Sequence, residues 1–228
     1  VNRYFICDHG RMQYKWMNRG DRIEAPLVRW EGELKATDWD EALARVAGIL
    51  RGASGKAVAL VSPGASSEAL ALAKRLLSGG GFTWTGAFQV VMGEEAPLPG
   101  VPNLALRAER APNAKGAEDL GYTRDYAQAL EAAKSAAVVF VLDDPDCRVE
   151  TNGALIYLGT VLDADAPCRR ADVILPIANV AEEEGTFTNR DGRAQRYYQA
   201  KPAPGMAQPA AWVLGELTAA LGLAEVPQ

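Results

Sequence analysis

Lys56-Ala-Val-Ala-Leu-Val-Ser-Pro-Gly-Ala-Ser-Ser67 decides the fold. Within it, Ala57-Val-Ala-Leu-Val-Ser62 is a short apolar run bounded by glycine and proline, the pattern of a strand buried on both faces. Ser62-Pro-Gly-Ala-Ser-Ser67 then leads into a helix with Leu70, Ala73, Leu76 and Leu77 on one side, stopped by Gly79-Gly80-Gly81. Strand, Gly/Ser-rich turn and helix make the first half of a βαβ unit, which implies a parallel sheet. The turn carries neither G-x-G-x-x-G nor G-x-x-x-x-G-K-[ST], so Ser66 and Ser67 read as helix caps rather than phosphate ligands.

The same pattern extends in both directions. Upstream, Asp38 and Glu41 form a capping box, and Trp39, Leu43, Val46 and Leu50 recur at helical spacing up to Gly52 and Gly55. Downstream, Phe82–Val91 is β-prone. Tyr126, Ala129, Leu130 and Ala133 mark a helix, and Ala136–Leu142 is a second buried strand. Asp143-Asp-Pro-Asp146 turns the chain at that strand's C-terminal end, where doubly wound sheets bind ligands. Its carboxylates read as turn chemistry rather than metal ligands. Ala154–Leu162 and Asp172–Pro176 read as further strands, and Thr186–Thr188 with Arg193–Tyr197 as a hairpin. Pro209 opens a last helix at its N1 position, with Val213, Leu214, Leu217 and Leu221 inward. The Pro/Gly-rich run over 97–112 reads as a long loop, either functional or the place where another folding unit is missing. The expected architecture is α/β: a Rossmann-like parallel sheet with helices on both faces over residues 37–228. An irregular segment with short strands over residues 1–36 precedes it.

Composition narrows the chemistry. The 228 residues carry 24 Lys+Arg against 29 Asp+Glu, a net charge of −5, with 48% hydrophobic and 23% charged residues. That is globular composition with an acidic balance, which argues against nucleic-acid binding. No apolar run reaches the roughly 20 residues of a bilayer span. Cys7, Cys147 and Cys168 are far apart with no C-x-x-C, so neither a disulfide framework nor a self-contained zinc site is expected, and free thiols suit a reducing compartment. His9 is the single imidazole. The aromatic and basic residues of 1–36, Arg11 and Arg22 among them, read as a docking face. The chain opens on Val1 rather than Met, as a piece of a longer polypeptide would.

Two sets of motifs carry a resemblance that composition does not supply. The first is Ile6-Cys-Asp-His-Gly-Arg11, Asn18-Arg-Gly-Asp-Arg22, Ala25-Pro-Leu-Val-Arg29 and Trp39-Asp-Glu-Ala-Leu43. The second is Ala171-Asp-Val-Ile-Leu-Pro176, Glu184-Gly-Thr-Phe-Thr-Asn189 and Gly192-Arg-Ala-Gln195. In this order they resemble the molybdopterin-oxidoreductase family. Arg107-Ala-Glu-Arg-Ala-Pro-Asn-Ala-Lys-Gly116 followed by Leu120-Gly121 is similar to the branch of that family found in NADH-quinone oxidoreductase (respiratory complex I).

The resemblance implies a structural and electron-transfer-supporting domain of that complex's hydrophilic arm, positioning iron–sulfur clusters, with no catalytic residue and no molybdenum site. Cys7 matches the fourth ligand of a 4Fe–4S cluster, a role that needs upstream cysteines. No cofactor is then expected on this stretch alone, while 4Fe–4S and 2Fe–2S clusters belong to the full subunit or complex. Thr186, Asn189 and Arg193 match a degenerate remnant of the pterin site, with Arg193 pairing a carboxylate. Cys147 is not the molybdenum ligand. The implied partners are other hydrophilic-arm subunits, with no nucleic acid and no membrane insertion. The implied location is cytoplasmic, peripheral to the cytoplasmic face of the inner membrane. The alternatives are a truncated pterin oxidoreductase of formate dehydrogenase type, or a small-molecule binding module served by the Ser62–Ser67 turn.

Overall fold

The structure is a computed structural model that describes residues 13–223. Cys7, His9 and Arg11 lie outside the described residues. Five strands form the parallel body: β3 (Lys56–Val61), β4 (Thr83–Phe88), β7 (Val138–Leu142), β8 (Ala154–Gly159) and β9 (Val173–Pro176). A hairpin of β1 (Leu27–Trp30) and β2 (Glu33–Ala36) adds antiparallel to β9, giving the order β2-β1-β9-β8-β7-β3-β4. The short strands of the N-terminal segment are thus continuous with the sheet.

The apolar runs are explained by burial on two sides. Every residue of β7 is buried, as are Ala57–Val61 of β3. Ala57, Ala59, Val61, Val138, Phe140 and Leu142 point into one core, and Val58, Leu60, Val139 and Val141 into the other. The first core is covered by three helices: α1 (Trp39–Gly52), α2 (Ser67–Gly79) and α5 (Ala210–Ala220), through Val46, Leu50, Leu70, Leu76, Val213 and Leu217. The second is covered by the short α4 (Tyr126–Ala133) and by loops bearing Ile23, Cys147, Val149 and Cys168. Helices therefore lie on both faces, unequally.

Local signals hold with small differences. The Asp38 side chain accepts from the Glu41 N–H at 2.8 Å, but the Glu41 carboxylate takes the Thr37 hydroxyl instead of closing the box. Ser66 caps α2 through the Ala69 N–H, as its residue type predicts. Pro209 sits one residue earlier than expected, at the N-cap of α5, and contributes no side-chain cap. The run over 97–112 is not a structureless loop. Its first part is a hairpin of β5 (Ala96–Leu98) and β6 (Val101–Leu106) turning at Gly100 (φ 76°), and its end leads into α3 (Ala114–Asp119). Prolines suppressed the strand reading there, yet a two-stranded ribbon has open edges that tolerate them. The predicted C-terminal hairpin is present as β10 (Gly185–Thr188) and β11 (Ala194–Tyr197).

Candidate functional site

β4 follows β3 on one side, whereas β7 pairs with β3 on the other. The C-terminal ends of β3 and β7 therefore form a topological switch point, the place where open α/β sheets leave a crevice. Two adjoining hollows of about 450 and 270 Å³ occupy it, with Gly64, Pro112 and Asp143 in the walls of both. A larger hollow of about 650 Å³ lies aside, against α4, between Phe88, Tyr126, Leu130 and Cys147. Residues of several signature stretches line the switch point: Arg19 and Arg22, Arg110 and Pro112, and Phe187.

Its floor is built by short-range bonding. The Ser62 hydroxyl accepts from the Gly64 N–H at 3.1 Å, and the Ser62 N–H donates to Leu142 O, tying the β3 turn to β7. Asp143 stands in the left-handed region (φ 52°) just beyond β7 and accepts from both the N–H and hydroxyl of Thr160 at 3.2 and 2.8 Å. Burial pushes its carboxyl up to about 6, although the Thr160 bonds oppose this. Asp144 accepts from the Tyr126 hydroxyl at 2.7 Å, and burial raises its carboxyl too. Both carboxylates tie the β7 turn to partners 17 and 18 residues away, at the end of β8 and on α4. Among the described residues, no group of three or more His, Cys, Asp or Glu side chains is placed to hold a metal ion.

The keystone is Asn113, which is fully buried. Its amide NH₂ donates to Ala65 O at 2.9 Å and to the Ser67 hydroxyl at 3.2 Å, and its Oδ1 accepts from the Thr188 N–H at 2.7 Å. One side chain so joins the β3–α2 turn, the start of α3 and the end of β10. Gly116 is required one turn later, since a Cβ there would lie 2.2 Å from Asn113 Oδ1. In sequence Asn113 is marked only by its place in the Arg107–Gly116 stretch, with no role of its own.

A second tie closes the other wall. Residues 21–23 run beside Thr160–Leu162, and Arg22 sends two nitrogens to the Glu182 carboxylate at 2.7 and 2.5 Å. The pair is buried, 5% and 0% exposed. Burial works to raise the Glu182 carboxyl, but the hydrogen bonds and charge of Arg22, the Asn179 N–H and Lys201 together outweigh it and hold the group below the usual range. This corrects the docking role expected of Arg22: its guanidinium faces inward. Among the described residues of that segment, the exposed aromatic side chains are Tyr14, Trp16 and Trp30, at 52%, 45% and 47%.

The expected pterin-site residues all lie on the β10–β11 hairpin or its turn. The Thr186 N–H donates to Glu68 at 2.9 Å. Asn189 Oδ1 accepts from the N–H groups of Asp191 and Arg193, building the β10–β11 turn. Arg193 is exposed, and among the described residues no carboxylate pairs with it; Arg196 pairs with Glu184 at 3.0 Å instead. Strand pairing explains the exchange, because Arg196 lies opposite Thr186 across the hairpin and Glu184 is the diagonal neighbour two positions before Thr186. Cys147 and Cys168 are buried free thiols, and burial pushes the Cys147 thiol up to about 11 and the Cys168 thiol upward as well.

The sequence matches the family described as Molybdopterin oxidoreductase over residues 22–95 and 100–220. An NADH-quinone oxidoreductase subunit of Shewanella oneidensis is 30% identical over 178 residues, covering 74% of this chain and 17% of the relative. The Streptomyces coelicolor protein of the same name is 30% identical over 203 residues, covering 74% of this chain and 24% of the relative. A Bacillus subtilis protein that carries a formate dehydrogenase name is 48% identical over 52 residues, covering 23% of this chain and 5% of the relative. The chain thus spans a quarter or less of these relatives' length.

Proposed function

The chain belongs to the molybdopterin oxidoreductase family, and on that premise we propose that it serves as a structural, electron-transfer-supporting domain of an NADH:quinone oxidoreductase. In this reading it has no molybdenum chemistry of its own. Residues 37–228, together with the β1–β2 hairpin that extends their sheet, are the scaffold, while the exposed aromatic side chains of residues 1–36 face neighbouring subunits and Cys7 of that segment is the fourth ligand of a 4Fe–4S cluster completed by upstream cysteines. The partners are hydrophilic-arm subunits, and the placement is peripheral to the cytoplasmic face of the inner membrane. Among the described residues no helix is long and apolar enough to cross a membrane, which accords with that placement.

One observation carries the reading: many polar groups of the signature motifs, though not the exposed Arg193 side chain, are spent within the chain. Thr186, Asn189 and Asn113 hold hairpin and turn together, and Arg22 is neutralised by Glu182. The crevice walls carry Asp143, Asp144 and Asp146 against Arg110, while Arg19 and Arg22 are paired with Asp21 and Glu182, which leaves a carboxylate excess that disfavours the pyrophosphate of a pterin dinucleotide. These residues do not fit that group. A rigid, closely bonded body suits a different task, holding redox centres at fixed spacing in a tuned surrounding. The exposed Tyr14, Trp16 and Trp30 support docking, since aromatic side chains are enriched at interfaces.

The local match to a formate dehydrogenase-type protein favours a second reading, a pterin-binding oxidoreductase. Metal analysis and pterin fluorescence on purified protein separate the two. We expect neither molybdenum nor tungsten, and near-stoichiometric amounts of either would overturn the proposal. Within the assembled complex, Cys7→Ser should remove one cluster signal from the electron paramagnetic resonance spectrum; an unchanged spectrum would reject the ligand assignment.

A further inference from the structure

Two polar atoms of the crevice have no partner among the described residues. Asn179 is only 8% exposed. Its Oδ1 accepts from the Ala181 N–H at 2.9 Å, which sets the orientation of the amide, and no described residue accepts from its Nδ2. Asp143 takes both Thr160 bonds on Oδ1, and no described residue donates to its Oδ2. Neither atom is sealed in the core, because among the described residues no buried side-chain nitrogen or oxygen lacks a hydrogen-bond partner. Both residues line the hollow of about 270 Å³, so a free donor and a free acceptor open on one small space.

The rest of that hollow is largely apolar. Trp16, about half exposed, and Phe187 stand in its wall with Val161 and Val180. The two arginines that share the wall are already spent: Arg19 on Asp21 and Asp163, Arg22 on Glu182, Met17 O and Thr160 O. Across Asp143, the adjoining hollow adds Asp144 and Asp146 against Arg110. The local balance is therefore a carboxylate excess beside aromatic rings, and its complement is a cation. A guanidinium suits it, being planar, weakly hydrated and able to lie over a ring while its N–H groups meet a carboxylate. A guanidinium has no acceptor to offer Asn179 Nδ2, whereas a main-chain carbonyl does. An arginine carried on a peptide chain supplies both.

We propose that this hollow is a socket for an arginine of a neighbouring protein subunit, with the guanidinium on Asp143 Oδ2 beside Trp16 and a main-chain carbonyl of the same segment on Asn179 Nδ2. The inference rests on the docking reading of the N-terminal aromatics and gives it a chemistry: Trp16 is one wall of a receptor, and the partner's segment is basic. A buried arginine among aromatic rings is the kind of contact that dominates the energy of an interface.

The test begins with the chain alone and Nα-acetylarginine amide, followed by the NMR signals of the Trp16 indole N–H and the Asn179 side-chain amide. Both should shift saturably at millimolar concentration. The citrulline analogue, neutral and of the same shape, should bind at least about tenfold more weakly. Trp16→Ala and Asp143→Asn, read at Asn179, should each weaken the arginine probe by about tenfold. An absence of saturable shifts, or equal binding of the citrulline analogue, would overturn the socket. In the assembled complex, benzoylphenylalanine at position 16 should cross-link to a segment of another subunit that bears an arginine. If the chain binds the probe and no such cross-link forms, the protein partner is rejected together with the docking reading, and the chemistry of the socket is not.

Discussion

Two hairpins leave the sheet, and they are held in opposite ways. β10–β11 is fixed along its length by side chains from elsewhere in the chain: Glu68 on Thr186, Asn113 on Thr188 and Glu183 on Tyr197. Its Phe187 and Tyr197 rings lie 4.6 Å apart. β5–β6 is fixed at its root by backbone bonds, Gly93 to Ala108 O and Arg110 to Val91 O, with the Arg110 side chain on Glu94 O. The signature that marks the family in sequence therefore sits on the hairpin that is welded down. Its polar residues act first as structure.

The sharpest way to break that contrast is to cut the tie beside the welded hairpin. Arg22→Met leaves Glu182 buried without its main partner and should cost about 3–5 kcal/mol in urea unfolding. Asn113→Ala comes next at about 2–4 kcal/mol, because it strands Ala65 O and the Thr188 N–H at once. Exchange at Thr188 should accelerate with it. Gly185→Ala should cost about 1–3 kcal/mol, since a Cβ would stand 2.7 Å from both Ser66 Cβ and Tyr197 Oη.

The crevice end of the contrast is read by pH. Asp143 is raised from 3.8 to about 6, so its stabilisation is complete below pH 3.8 and lost as pH climbs to 6. Asp143→Asn keeps a side chain tolerated in the left-handed region and should remove this part of the slope. It should gain about 1–2 kcal/mol at pH 7, measured by denaturant midpoints across pH. The smallest effect belongs to the loose hairpin. Arg107 and Glu95, both about half exposed, pair at 3.2 Å at its base, and Arg107→Ala should change stability by less than about 0.5 kcal/mol. A larger loss would show that this hairpin too is welded to the body.

Much of the frame was legible in the chain. The continuous apolar runs of β3 and β7, the cap at Ser66 and the glycine stop after α2 depend on neighbours within a few residues, so their patterns survive in one dimension. The ribbon at 96–106 was misread because proline density argues for loop, and an isolated strand pair makes few demands that would override it. Arg22 was misread for a related reason. A basic residue among aromatics has the look of a surface, and nothing nearby in sequence announces Glu182, 160 positions away.

Fold class follows from period and punctuation, because strands and helices form where local burial patterns repeat. Which polar residues hold the crevice is another matter. Asn113, Glu183 and the Arg22–Glu182 pair acquire their roles from partners that only chain crossing brings within 3 Å or so. In a buried, weakly screened place that proximity decides both bonding and charge. The same carboxylate would be ordinary on a surface; placed between Tyr197 and the end of α5, Glu183 caps a core helix and anchors a hairpin at once.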